Sequence, residues 1–335
     1  MREMRNVKKQ LSRFINYIKH PTYNKEKVHK FLYGSKEKEG FLKQFAVYAL
    51  LICIGFVYLY PLLYMLSNSF MTLDDLLDSS INWIPSTFNL DNYVQAGNSM
   101  EFWSTLGDTV LVCGIPTIIN VIICSIVGYG FARFDFPLKK VLMGLLIFTF
   151  VLPSQITMMP LYVMYNDYGL IGDIWSFILP AIFGQGLNAQ IFILIFYQFY
   201  KMVPKVLIEA AQIDGAGYIK SYFRIALPSA KPAMLTVFLF SMVWYWNESY
   251  LTEMFVTGLT KAEESGWTTL MVKLQQFNAN YSSMQAQQNT GVQINNNESI
   301  QMAGTMLSIL PLLIAYFLLQ RQFVESIDRT GITGE

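Results

Sequence analysis

"EAAQIDGAGYIKSYFRIALP", Glu209–Pro228, is a charged, turn-bearing segment between two long apolar runs. With its edges it carries six charges: Lys205, Glu209, Asp214, Lys220, Arg224 and Lys231. Each would cost roughly 2.5–3.5 kcal/mol at mid-bilayer, so the segment belongs in water. Its flanks, Ile174–Tyr200 and about Pro232–Tyr250, are charge-poor over lengths that match a hydrocarbon core of about 30 Å. The stretch therefore reads as a loop held between two membrane spans.

Within the loop the signals are local. Pro204 can open a helix, because its missing N–H is an orphan there anyway. Val206–Ile213 then reads as a short helix with Glu209 near its favourable N-terminal half. Asp214-Gly215 marks a turn, and a second helix is expected from about Tyr218 to Ala226, ending before Leu227-Pro228. Ala210, Ala211, Gly215 and Ala216 form a small-residue patch that another protein can approach closely. Ile213, Ile219, Phe223 and Ile225 are expected to anchor the pair to the membrane helices behind it.

The whole chain agrees with a membrane setting. Of its 335 residues 53% are hydrophobic and only 14% charged, against about a quarter charged in soluble domains. Six apolar runs emerge: Phe45–Leu66, Thr109–Ala132, Val141–Met164, Ile174–Tyr200, about Pro232–Tyr250 and Met302–Gln320. The first holds twelve Leu, Ile, Val and Phe residues, each favouring insertion by about 0.3–0.6 kcal/mol. Cys53, Cys113 and Cys124 all lie inside such runs, where a thiol acts as a small apolar group. Net charge is +1, so no bulk polyanion such as nucleic acid is implied as a partner.

Charge placement sets the direction. With the N-terminus inside, 22 of 24 Lys and Arg lie on the inner side, and only Lys261 and Lys273 lie outside. Residues 1–44, with twelve Lys or Arg, read as a cytosolic tail beside anionic lipid, and 321–335 as a second one. The charged loop, 201–231, is then cytosolic, and 258–301 is an extracytoplasmic loop rich in Asn, Gln and Ser. Two spans carry polar breaks: Pro153-Ser154-Gln155 in the third, and Gly184, Gln185, Gly186 and Asn188 in the fourth. Such breaks are tolerated where a helix faces a cavity or other helices, which makes Gln155 and Asn188 candidates for a polar pathway.

The spacing of Glu209-Ala210-Ala211, Gly215, Ile225 and Leu227-Pro228 resembles the EAA loop of bacterial ABC importer permeases. "NWIPSTFNLDNY" (Asn82–Tyr93), "GYGFARFDFPLKK" (Gly128–Lys140), "WYWNESYL" and the C-terminal "LPLLIAYFLLQRQFVESIDRTGITG" are similar to stretches of carbohydrate permeases of the maltose-transporter type. The tail and the loop around Gly258–Gln301 lack a counterpart, and "RTGITGE" lacks a lysine common at the family's C-terminus. The resemblance implies an all-α polytopic membrane protein with six transmembrane helices and the type I ABC importer permease fold. It implies a coupling helix that docks on a cytosolic ATPase through Glu209, Ala210, Ala211, Asp214, Gly215 and Ala216. It also implies the partners: two ATPase subunits carrying ATP and Mg, a second homologous permease, an extracytoplasmic solute-binding protein that the loop at 258–301 could touch, and a sugar as cargo.

Other chemistries find little support. The chain has no Gly-Lys dipeptide, hence no Walker-type phosphate loop. His20 and His29 both sit in the tail, which removes histidine triads and metal sites from the membrane domain. "IVGYG" (Ile126–Gly130) nearly spells a channel filter, but it closes a full span and reads as helix packing. Glu248 and Glu253 fall near the outer end of the fifth span. Trp244, Trp246 and Asn247 nearby could stack on and hydrogen-bond a sugar, or simply mark the interface, where aromatic residues gather. An ion-coupled carrier or a membrane scaffold or sensor would account for the spans but would leave the loop's spacing unexplained.

Overall fold

Helices build the protein because its apolar runs leave the backbone no partner but itself. The structure, a computed structural model, describes residues 32–35, 38–78, 80, 83–258, 266–279, 281 and 298–332. Most of the tail at 1–44, His20 and His29, Lys261, Asn280 and the stretch 282–297 of the outer loop lie outside the described residues.

The chain divides into two units, Met1–Tyr64 and Met65–Glu335. In the first, a two-residue hairpin of β1 (Gly34–Ser35) and β2 (Lys38–Glu39) precedes α1 (Phe41–Asn68), which runs on across the boundary. This hairpin lies in the tail expected at 1–44, and every other described element is a helix, as the all-α expectation has it. Helix α1 starts four residues before the expected span, and Ile52, Val57 and Tyr58 stand exposed along it. An apolar surface of this kind suits lipid or another subunit.

In the second unit come α2 (Leu73–Leu77), α3 (Asp91–Ser99), α4 (Phe102–Arg133), α5 (Lys139–Val151), α6 (Ser154–Asp167), α7 (Trp175–Ile182) and α8 (Ala189–Met202). Then follow α9 (Lys205–Ile213), α10 (Tyr218–Ser221), a π-helical turn (Tyr222–Ala226), α11 (Leu227–Ser229), α12 (Lys231–Asn247) and a second π-helical stretch (Thr252–Gly258). The outer-loop helix α13 (Leu270–Gln275) and the long α14 (Glu298–Ile332) complete it.

Among the described residues three unbroken helices are long and apolar enough to cross a membrane, and up to six spans result if each bent pair is one. The expected third span is not continuous: α5 and α6 meet at 99°. Leu152 is extended there because Pro153 disfavours helical backbone at the residue before it. Where the fourth span was expected, two helices, α7 and α8, are joined through 183–188, with Gly184 and Asn188 at positive φ. At the C-terminus the helix continues to Ile332, so most of the segment expected as a tail is helical.

Helix α4 is the hub. A Cβ on Gly128 would sit 2.6 Å from Phe196 Cβ and 3.0 Å from the Tyr197 backbone nitrogen, so α4 and α8 touch at backbone distance. Without a hydrophobic force between helices in lipid, small residues of this kind let dispersion bind them. The reading of "IVGYG" as packing is therefore correct. The outer loop is less free than its composition suggests, since Leu270, Val272, Phe277 and Tyr281 are all buried. The Leu270 N–H donates to Thr109 Oγ1 at 2.9 Å and Lys273 pairs with Glu101 at 3.3 Å.

Candidate functional site

The charged loop folds as a knob. Helix α9 follows Pro204 directly and ends in a left-handed glycine, Gly215, at φ +82°. The Ala216 N–H donates to Ala211 O at 2.9 Å and the Gly215 N–H to Gln212 O at 3.0 Å. This pair of bonds is the Schellman arrangement, which closes a helix and reverses the chain. Nothing lies within 4 Å of a Cβ built on Gly215, so only backbone conformation demands glycine there.

The return limb differs from expectation. Instead of stopping before Leu227-Pro228, the chain passes through the π-helical turn Tyr222–Ala226 and stays helical to Ser229. A widened turn absorbs Pro228, which has no N–H and would crowd the carbonyl four residues back.

The anchoring also differs. Ile213 is 86% exposed, Ile219 76% and Phe223 is exposed too, while Ile225 is half-buried. The knob is instead held by Ile208, Tyr222 and Ala226, all buried. Ser125 Oγ of α4 hydrogen-bonds both Tyr200 OH of α8 at 2.6 Å and Tyr222 OH of the knob at 2.9 Å. Arg133 Nη2 donates to Tyr200 O and Val203 O, each at 2.6 Å, and so closes the C-terminal end of α8. Rings of Tyr129 and Tyr222 pack with centroids 5.0 Å apart, and Phe134 and Tyr218 at 5.2 Å. The knob is thereby joined to α4 directly and, through Ser125, to α8.

Glu209, Ala210, Asp214 and Gly215 are exposed, and Ala211 and Ala216 half-buried; Glu209 also lines a cleft against the ends of α4 and α8. The other predicted residues lie elsewhere and do not form one cluster. Gln155 and Asn188 are exposed at the two helix breaks, and Asn247 is exposed with its Nδ2 donating to Val243 O. Trp246 does not face open space: it is 3% exposed and its Nε1–H donates to Ser308 O at 3.1 Å. Trp244 is half-buried beside Phe192, with ring centroids 5.3 Å apart. Both indoles pack the helices here: Trp244 takes an aromatic neighbour and Trp246 a buried carbonyl acceptor for its N–H.

Sequence reasoning missed the clamp on the fourth span. Asn120 Nδ2 donates to Leu187 O at 3.2 Å and Ser241 Oγ at 3.3 Å, and Tyr245 OH accepts the Leu187 N–H at 3.1 Å. Together they satisfy backbone that the break at 183–188 leaves open, as a membrane interior requires. A lone asparagine inside an apolar run was the only available signal. Among the described residues no group of three metal-ligating side chains occurs.

Residues 122–329, more than half of the chain and including the whole knob, match the family of binding-protein-dependent transport system inner membrane components. The chain belongs to this family. The permease is 27% identical to the polygalacturonan/rhamnogalacturonan transport system permease protein YtcP of Bacillus subtilis, over 86% of this chain and 97% of that one. It is also 27% identical to the arabinooligosaccharides transport system permease protein AraQ of Halalkalibacterium halodurans, over 84% and 93%. Its fold matches a chain in the crystal structure of a bacterial ABC transporter that imports the acidic polysaccharide alginate, with a TM-score of 0.65 at 20% identity, covering 84% of this chain and 96% of that one. The permease is thus a transport subunit of an ABC importer, working with an ATPase and a binding protein, and does no covalent chemistry itself. Membership sets aside the carrier and scaffold readings.

Proposed function

We propose that the permease forms one half of an ATP-driven import pathway for an oligosaccharide, paired with a second homologous permease and served by two ATPase subunits that carry ATP and Mg. The relatives named for polygalacturonan/rhamnogalacturonan and for arabinooligosaccharides support a carbohydrate as cargo. The observation that carries the mechanism is the knob: a glycine-closed turn with Ile213 and Ile219 exposed at its tip. An exposed apolar pair in a charged loop fits a protein groove better than water.

In this reading Glu209, Ala210, Ala211, Asp214, Gly215 and Ala216 dock on the ATPase, and both termini are cytosolic. Closure of the ATPases on ATP pushes the knob, and the Ser125–Tyr200–Tyr222 bonds pass the push to α4 and α8. Polar side chains at Gln155, Asn188 and Asn247 are exposed, and in this reading they turn to the pathway and the partner permease, since polar groups in a span are costly against lipid.

The test is affinity purification of the tagged permease from its own membrane, with and without Gly215→Val. The ATPase should accompany the wild type and be lost from the variant, while vesicle uptake of oligosaccharide should require ATP. Wild type that transports without ATP, or a variant that retains the ATPase, would sink the proposal.

A further inference from the structure

On the membrane side of the knob lies a cleft of about 510 Å³, within the range of sites that hold small ligands. Its floor is the end of α4, with Tyr129, Phe131 and Arg133; Tyr197 and Lys201 of α8 and Lys205 and Glu209 of α9 form the other walls. Four cations, Arg133, Lys139, Lys201 and Lys205, face two carboxylates, Asp135 and Glu209. One carboxylate is already engaged: Lys139 Nζ bonds Asp135 Oδ1 at 3.0 Å. That bond holds the Asp135 acid below the usual carboxylate range, with Lys205 adding to the effect.

The remaining cations have no acid of their own in the cleft beyond Glu209. Lys201 Nζ sits over the Tyr197 ring, 5.4 Å from its centroid, and its side chain is otherwise exposed. Lys205 opens the nine-residue helix α9, where the helix dipole adds positive potential. Buried Arg133 Nε finds no acceptor among the described residues. The place is therefore short of negative charge by about two units and offers donors on three sides.

We propose that this cleft binds the phosphate of an anionic phospholipid headgroup. Phosphate chemistry suits the donors. Its source follows from position: the aromatic floor belongs to the end of the membrane-length helix α4, with the shorter α8 beside it, so the cleft opens where headgroups lie and acyl chains can follow the apolar flank of α4 and α8. A headgroup there contacts both the span ends and the first turn of the knob, which couples bilayer charge to the lever. The assignment stands on the cleft and does not depend on which solute the permease carries.

The experiment is native mass spectrometry of the full-length chain in mild detergent with equal phosphatidylglycerol and phosphatidylcholine. Wild type should retain phosphatidylglycerol in preference, the Lys201→Gln/Lys205→Gln variant should bind it roughly ten- to thirty-fold more weakly, and Lys201→Arg should keep it. Lys220→Gln, an exposed knob lysine that does not line the cleft, should match wild type. An unchanged melting temperature in each variant separates lost binding from misfolding. Equal retention of the two lipids, or retention by the double variant at the wild-type level, overturns the proposal. A parallel arm with excess inorganic phosphate distinguishes sources: displacement of no lipid is expected, whereas phosphate binding without phosphatidylglycerol preference would refute the lipid.

Discussion

Replacing Gly128 by alanine should drive α4 and α8 apart. The new Cβ would lie 2.6 Å from Phe196 Cβ, 3.0 Å from the Tyr197 nitrogen and 3.1 Å from Ile193 O. Ordinary carbon contact is about 3.5–4.0 Å, so one helix must retreat by roughly 1 Å. Two of the three obstacles are backbone atoms, which no rotamer change can move. Overpacking of this kind costs about 1–3 kcal/mol. A gap of 0.5–1 Å also forfeits about a quarter to a half of each contact along the seam, where Phe192 and Phe196 are fully buried. Alanine returns up to about 1 kcal/mol of helix propensity. The net expectation is a loss of about 2–4 kcal/mol, equal to a fall in melting temperature of roughly 3–6 °C for a chain of 335 residues.

The protein carries its own reporters for the assay. Cys113 and Cys124 of α4 are fully buried, while Cys53 is exposed. In a Cys53→Ser background, a thiol-reactive fluorophore should label the chain only as α4 loses its neighbours. Gly130→Ala is the control, because nothing lies within 4 Å of a Cβ there; its melting temperature should hold or rise slightly. If the two variants melted together, the close approach of α4 and α8 would not be what holds this seam.

Tyr245→Phe should strand the Leu187 N–H in the broken span and cost about 1–3 kcal/mol, read by the same thiol assay. At Asn188, φ of +55° predicts that glycine is tolerated whereas valine destabilises by about 1–2 kcal/mol; equal melting of the two would argue against a left-handed residue at the break. Tyr222→Phe removes one bond of the Ser125 pair, worth about 0.5–1.5 kcal/mol, and should leave the ATPase bound while lowering uptake per ATP hydrolysed. Unchanged coupling in that variant would mean the push travels by another route.

Much of this protein was legible without coordinates, and the reasons are local. Burial in lipid makes length and apolar composition decisive, so the apolar runs were enough to mark the long helices. The turn at Asp214-Gly215 was equally legible, because a left-handed backbone position selects glycine by sterics alone. What sequence could not settle was which side of an element meets another. Ile213 and Ile219 look like anchors by composition, yet they point outward, and Tyr222 holds the knob instead through a hydroxyl on α4. Trp246 resembles a sugar platform until Ser308 O is found at its nitrogen. The same holds for Asn120, whose partners lie 67 and 121 residues away. Contacts over such distances depend on how spans pack, and in a bilayer nearly every exposed face is apolar, so hydrophobic pattern no longer tells inside from outside. Only the tertiary structure, by bringing Gly128, Ser125 and Arg133 of one helix against the fourth span and the knob, decided how the lever is attached.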